Sequence, residues 1–123
     1  LDKIFDLKKR SFDFSLGIIK LLETLSKNRN YITEILGKQL LRSGTSIGAN
    51  IVEGQSAASK KEFANFYKIA LKSANETKYW LDLLINSNKE NSSTINILQN
   101  EVNELSKIIA KSIITIKEKM QSL

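Results

Sequence analysis

The 123-residue chain has no cysteine, no histidine and no proline, and only five glycines. Each absence excludes something. Without histidine or cysteine there is no imidazole base, no thiol nucleophile and no disulfide, and nearly all zinc, haem and iron–sulfur chemistry is gone. No cofactor and no metal are therefore expected. A cysteine-free chain suits a reducing compartment without requiring one. Long apolar runs are also missing: the longest are of the order of Leu83 to Ile85, so no segment is expected to span a bilayer. The opening stretch LDKIFDLKKRSFDF alternates charge with apolar residues and lacks the apolar region of a signal peptide. These features predict a soluble, cytoplasmic protein with no membrane partner.

What the chain does contain points to helices. With proline absent and four of the five glycines confined to positions 37–54, an all-α fold in a single domain, residues 1–123, is the natural reading. In the last segment Ile95, Leu98, Val102, Leu105, Ile109, Ile113, Ile116 and Met120 recur every three or four residues, the period of one long amphipathic helix. The segment before it opens on Ser59 and Glu62, the spacing of a capping box, and carries Phe63, Phe66, Tyr67, Ala70, Ala74, Leu81, Leu84 and Ile85. The polar run NSNKENSS from Asn86 ends it.

Nearer the N-terminus, a first helix from about Leu7 to Leu25, with Asp6 as N-cap, sets Phe12, Leu16, Ile19 and Leu22 on one face and Phe14, Ile18, Leu21 and Leu25 beside them. A second helix begins near Tyr31. Short links between long helices predict an antiparallel up-and-down four-helix bundle.

The stretch RSGTSIGANIVEG, Arg42 to Gly54, could be a phosphate-cradling loop or a helix thinned for close packing. A Walker-type loop needs lysine directly after its last glycine, but Gly54 is followed by Gln55, and no strand-like run precedes it. On a helix, Leu36, Leu40, Gly44, Ile47 and Ile51 share a face, and Gly44 with Gly48 lets a neighbouring backbone approach. Gly54 is then expected as the C-cap. Gln39, Arg42, Ser46, Asn50 and Glu53 recur along the same helix, with Glu76 midway along the next. The bland reading, a structural hydrogen-bonded seam, is preferred to a catalytic one, because no histidine, cysteine or ligand cluster accompanies these carboxylates. An enzyme using Glu53 and Glu76 as a carboxylate pair is the weakest option, and no catalytic residue is assigned.

Nineteen basic against thirteen acidic side chains give a net charge of +6 and a pI near 9.6, a balance that favours polyanions. On the third helix Lys61, Asn65, Lys68, Lys72 and Tyr79 fall opposite the core stripe, where lysines can meet phosphates and a tyrosine can stack a base. Lys8, Lys9 and Arg10 form a second cluster, Lys27 and Arg29 occupy the first link, and Arg42 lies in the glycine-rich helix. Ile69, Trp80 and Leu83, beside Tyr79, form a further apolar stripe that suggests a subunit interface.

QLLRSGTSIGANIVEG, Gln39 to Gly54, and KKEFANFYKIALKSANETKYWLDLL, Lys60 to Leu84, together with Phe5-Asp6-Leu7, resemble the bacterial four-helix bundle proteins encoded within intervening sequences of large-subunit ribosomal RNA genes. The resemblance implies an antiparallel four-helix bundle assembling into a ring-shaped homopentamer. It also implies kinship with the accessory variability protein of diversity-generating retroelements, which works with a reverse transcriptase and nucleic acid. Two departures stand out. The proline common before the second helix is missing, and the family's frequent paired arginine is Leu41-Arg42, which removes one candidate phosphate contact. The leading expectation is a non-enzymatic homo-oligomer that binds RNA or DNA, RNA favoured, through Lys8, Lys9, Arg10, Arg42, Lys61, Lys68 and Lys72. The alternative is an interaction scaffold presenting its ring to a protein partner such as a polymerase.

Overall fold

The computed structural model describes residues 2–27, 30–87 and 89–121. Four helices account for almost all of them: α1 (Asp2–Leu25), α2 (Tyr31–Gln55), α3 (Lys60–Ser87) and α4 (Ser92–Gln121), with a single 3-10 turn at Lys89–Asn91 and no strand among the described residues. α1 packs on α2 and α4, and α3 packs on α2 and α4. The diagonal pairs make no close backbone approach among the described residues, and side chains of all four helices join one core.

Local chemistry sets the helix starts. Asn30, in extended conformation, accepts from the Ile32 and Thr33 N–H groups through Oδ1 (2.9 and 3.3 Å), satisfying donors that the first turn leaves open. Ser59 Oγ accepts from the Glu62 N–H at 3.1 Å, the N-cap half of the capping box. Asp6 is not a cap: α1 already begins at Asp2, which places Asp6 a turn inside it.

Gly54 does not end α2 either. The helix runs on to Gln55, no glycine has positive φ, and Gly54 is buried. A Cβ there would meet the Tyr67 ring at 2.8 Å. The glycine therefore serves contact with α3, not chain reversal. Tyr67 is fully buried, stacks on Phe63 with ring centroids 4.0 Å apart, and accepts a hydrogen bond from Gln55 Nε2 at 3.3 Å. Gly48 makes the corresponding contact with α1, where a Cβ would lie 3.3 Å from Ser11 Oγ and 3.4 Å from the Ser11 carbonyl oxygen. The glycine-rich stretch is thus helix throughout, with its small residues at points of close approach.

This contact also sets the rotation of α1. Ser11, fully buried, faces Gly48, and the residues sharing its side, Leu7, Phe14, Ile18, Leu21 and Leu25, enter the core. Of the other face read from the sequence, Phe12, Leu16 and Ile19 are 63, 40 and 40% exposed. Two apolar stripes run along α1, and the one containing a small residue faces the neighbour because only it allows the backbones to close. α4 follows its periodicity, with Ile95, Leu98, Val102, Leu105, Ile109 and Ile113 buried, while Met120 at its end is exposed.

Candidate functional site

Side chains from α2 and α3 meet in a polar seam. Ser43 Oγ donates to Thr77 Oγ1 across 2.9 Å, and both residues are completely buried. One turn on, Ser73 donates to Ser46 Oγ at 2.9 Å, and Asn50 Nδ2 donates to Ser46 Oγ and the Ser46 carbonyl at 3.0 and 2.8 Å. A hydroxyl suits this place because it both donates and accepts: the Thr77 hydroxyl donates to the Ser73 carbonyl of its own helix at 2.7 Å and keeps its lone pairs for the neighbour across the seam. No buried side-chain polar atom lacks a partner among the described residues.

At the outer edge of the seam the Arg42 guanidinium bonds Gln39 Oε1 (2.9 and 3.2 Å) and the Glu76 carboxylate. Trp80 Nε1 donates to the same carboxylate at 2.9 Å. The hydrogen bond from Arg42, then that from Trp80, holds the Glu76 carboxyl below the usual carboxylate range. Burial raises the Tyr67 hydroxyl above its ordinary value, partly offset by Gln55. Of the residues expected in the seam, Gln39, Arg42, Ser46, Asn50 and Glu76 come together, and Glu53 stands apart, exposed. It lies eleven residues beyond Arg42, about 16 Å along the helix, so Glu53 and Glu76 do not form a pair. Ser43, Ser73 and Thr77 were not singled out from sequence. Their spacing of four residues on α3 and three from Ser43 to Ser46 was the available signal.

The expected basic contacts divide into two groups. Arg10 is engaged in a bidentate ion pair, Nε and Nη2 to the two Glu101 carboxylate oxygens at 3.0 and 2.7 Å, which ties α1 to α4. Arg42 is held as described, and Lys9 bonds Asp13 one turn away at 2.7 Å. Lys8, Lys61, Lys68 and Lys72 are exposed. Both arginines tie one helix to another. Arg29 lies outside the described residues. Of the apolar stripe on α3, Ile69, Tyr79 and Leu83 are exposed. Trp80 packs partly into the core margin and against the edge of Tyr79, centroids 5.2 Å apart.

These features define an all-helical protein with a satisfied hydroxyl-lined seam between α2 and α3 and, among the described residues, no cluster of three or more His, Cys, Asp or Glu side chains able to hold a metal. No helix in the described region is long and apolar enough to cross a membrane. The chain belongs to the 23S rRNA-intervening sequence protein family, which residues 3–111 match. A crystal structure of a protein of unknown function from the S23 ribosomal protein family of Bacteroides thetaiotaomicron is similar, at 38% identity and a TM-score of 0.81 over 90% of this chain and 97% of that one. No curated protein matches.

Proposed function

We propose that the protein is a cytoplasmic, non-enzymatic, homo-oligomeric antiparallel four-helix bundle that binds nucleic acid, RNA above all, through lysines on its outer surface. The observation that carries the reading is the state of its cations. Lys61, Lys68 and Lys72 project from one side of α3, seven and four residues apart, with no acidic side chain within ion-pair distance among the described residues. A row of unneutralised lysines releases counterions when it meets phosphates, and this favours binding without specifying sequence.

Antiparallel packing is supported by the order of partners: Arg42, Ser43 and Ser46 on α2 meet Glu76, Thr77 and Ser73 on α3. Assembly is supported by two apolar surfaces on different sides. Phe12, Leu16 and Ile19 of α1 and Leu41 and Val52 of α2 are exposed, and so are Ile69 and Leu83 of α3. Unlike patches on one subunit pair head to tail, and such contacts form a ring where the rotation between subunits closes. The pentamer itself rests on family resemblance. A catalytic role is disfavoured by Glu76, whose carboxyl is held ionised, the wrong direction for a general acid at neutral pH.

Anisotropy of labelled RNA and DNA across a salt series tests the reading. Affinity should fall linearly with log salt, and charge reversal at Lys68 and Lys72 should weaken it while helicity and mass persist. The second reading, a scaffold for a protein partner, is favoured by the same exposed apolar stripe. A pull-down repeated after nuclease separates the two, since partners retained without nucleic acid support the scaffold.

A further inference from the structure

The outer surface where α3 meets α4 is more strongly basic than the third helix alone indicates. A groove there is lined by Lys78 and Asp82 of α3 and by Gln99, Asn100, Val102 and Asn103 of α4, and Gln99 Nε2 bridges it to Asp82 Oδ1 at 2.7 Å. These residues fix which side of α4 faces α3. Lys107 follows Asn103 by four residues and Lys117 by fourteen, spacings that return to the same side of a helix, and Lys111 lies just outward of them. Opposite, Lys61, Lys68, Lys72 and Lys78 extend along α3 for about 25 Å at 1.5 Å per residue.

On this side seven lysines oppose three carboxylates, Asp82, Glu104 and Glu118. Asp82 is engaged by Gln99, and Glu104 lies 3.6 Å from Lys107 with both side chains largely in water, an arrangement that neutralises little. The acids of α3 that balance its charge in sequence point elsewhere. Glu76 is bound to Arg42, and Glu62 sits at the helix start.

We infer that α3 and α4 form one phosphodiester-binding surface, with the α4 lysines Lys107, Lys111 and Lys117 as a second row flanking a polar groove. The inference rests on the nucleic-acid reading above and extends it to a helix that reading did not use. Packed helices lie about 8–10 Å apart, so two rows flank a channel that the amides of Gln99, Asn100 and Asn103 line. A single strand would follow such a channel by its backbone, with the amides available to its bases. A duplex would place a phosphate row against each lysine row. The recognised chemistry is the same, and the two sources are distinguished by probe.

The test uses the full chain with a labelled 20-nucleotide single-stranded RNA and an RNA hairpin of equal length, by anisotropy at a series of salt concentrations. Lys107→Glu with Lys111→Glu should weaken both probes at least tenfold at low salt. The neutral pair Lys107→Gln with Lys111→Gln should lower the single-strand salt slope by about 1.4, at about 0.7 per lost phosphate contact. Lys20→Glu with Lys38→Glu, on the outer sides of α1 and α2, should change affinity less than twofold. The tighter probe identifies the source. Circular dichroism confirms that each variant is helical. If the α4 variants bind as the parent does while reversal at Lys61, Lys68 and Lys72 weakens binding, the α4 row is refuted and the nucleic-acid reading stands. If the unaltered protein binds neither probe at low salt, both fall.

Discussion

The outer side of α1 and α2 and the outer side of α3 and α4 are built from the same kind of amphipathic helix, yet they differ in how lysines and apolar residues are arranged. The first carries exposed Phe12, Leu16, Ile19, Leu41 and Val52 over a contact in which Gly48 and Ser11 bring two backbones together. The second carries lysines around a groove of amides. The difference shows that charge in this protein is distributed by face. In sequence, residues 1–61 hold eleven basic and six acidic side chains and residues 62–123 hold eight and seven, which makes the first half look like the basic one. Folding reverses that impression. Arg10, Arg42 and Lys9 of the first half are paired, and Glu76 of the second is drawn into the seam.

The largest expected effect breaks the comparison on the lysine side. Lys61→Glu, Lys68→Glu and Lys72→Glu together should lower RNA affinity at low salt about a hundredfold or more, close to 3 kcal/mol at 1.4 kcal/mol per tenfold. Binding anisotropy reads this, with helicity unchanged. Next comes the closeness of α1 and α2. Gly48→Val adds bulk where even a Cβ would lie 3.4 Å from a backbone oxygen, and it should cost about 1–3 kcal/mol in urea unfolding, the range for overpacking. A variant as stable as the parent would show that the helices separate cheaply.

Phe12→Glu with Leu16→Glu sharpens the comparison from the apolar side. Both residues are exposed in the single chain, so the intrinsic stability of the subunit should move by no more than about 0.5 kcal/mol per site. Light scattering should nevertheless report loss of assembly. Unchanged mass would remove this stripe from the interface and leave Ile69 and Leu83 as the candidates.

The smallest effect belongs to the seam. Because the Glu76 carboxyl is held below its ordinary range, its bonds to Arg42 and Trp80 are present above that range and are lost as pH falls through the lowered value. Trp80 is the only tryptophan, so its fluorescence should shift in acid. Glu76→Gln should abolish that titration.

The helices themselves could be read from residues, since α4 repeats its apolar positions without a second stripe and Ser59 with Glu62 marks where α3 begins. α1 was ambiguous because it carries two stripes. Ser11 decides between them, and its role depends on Gly48, thirty-seven residues away. Gly54 fits a cap equally well by its place near a helix end, and only the position of Tyr67 shows that it serves contact with α3 instead. The site was the least legible part. Which lysines lack a partner depends on where the carboxylates of other helices fall, as Glu101 does for Arg10, and no spacing within one helix reveals that.

Lysine reactivity tests the sidedness most directly. Acetylation of the protein with and without bound RNA, read by mass spectrometry, is predicted to show protection at Lys61, Lys68, Lys72, Lys78, Lys107 and Lys111, with Lys20 and Lys38 modified as before. Protection spread evenly over all lysines, or confined to Lys8 and Lys9, would contradict the account.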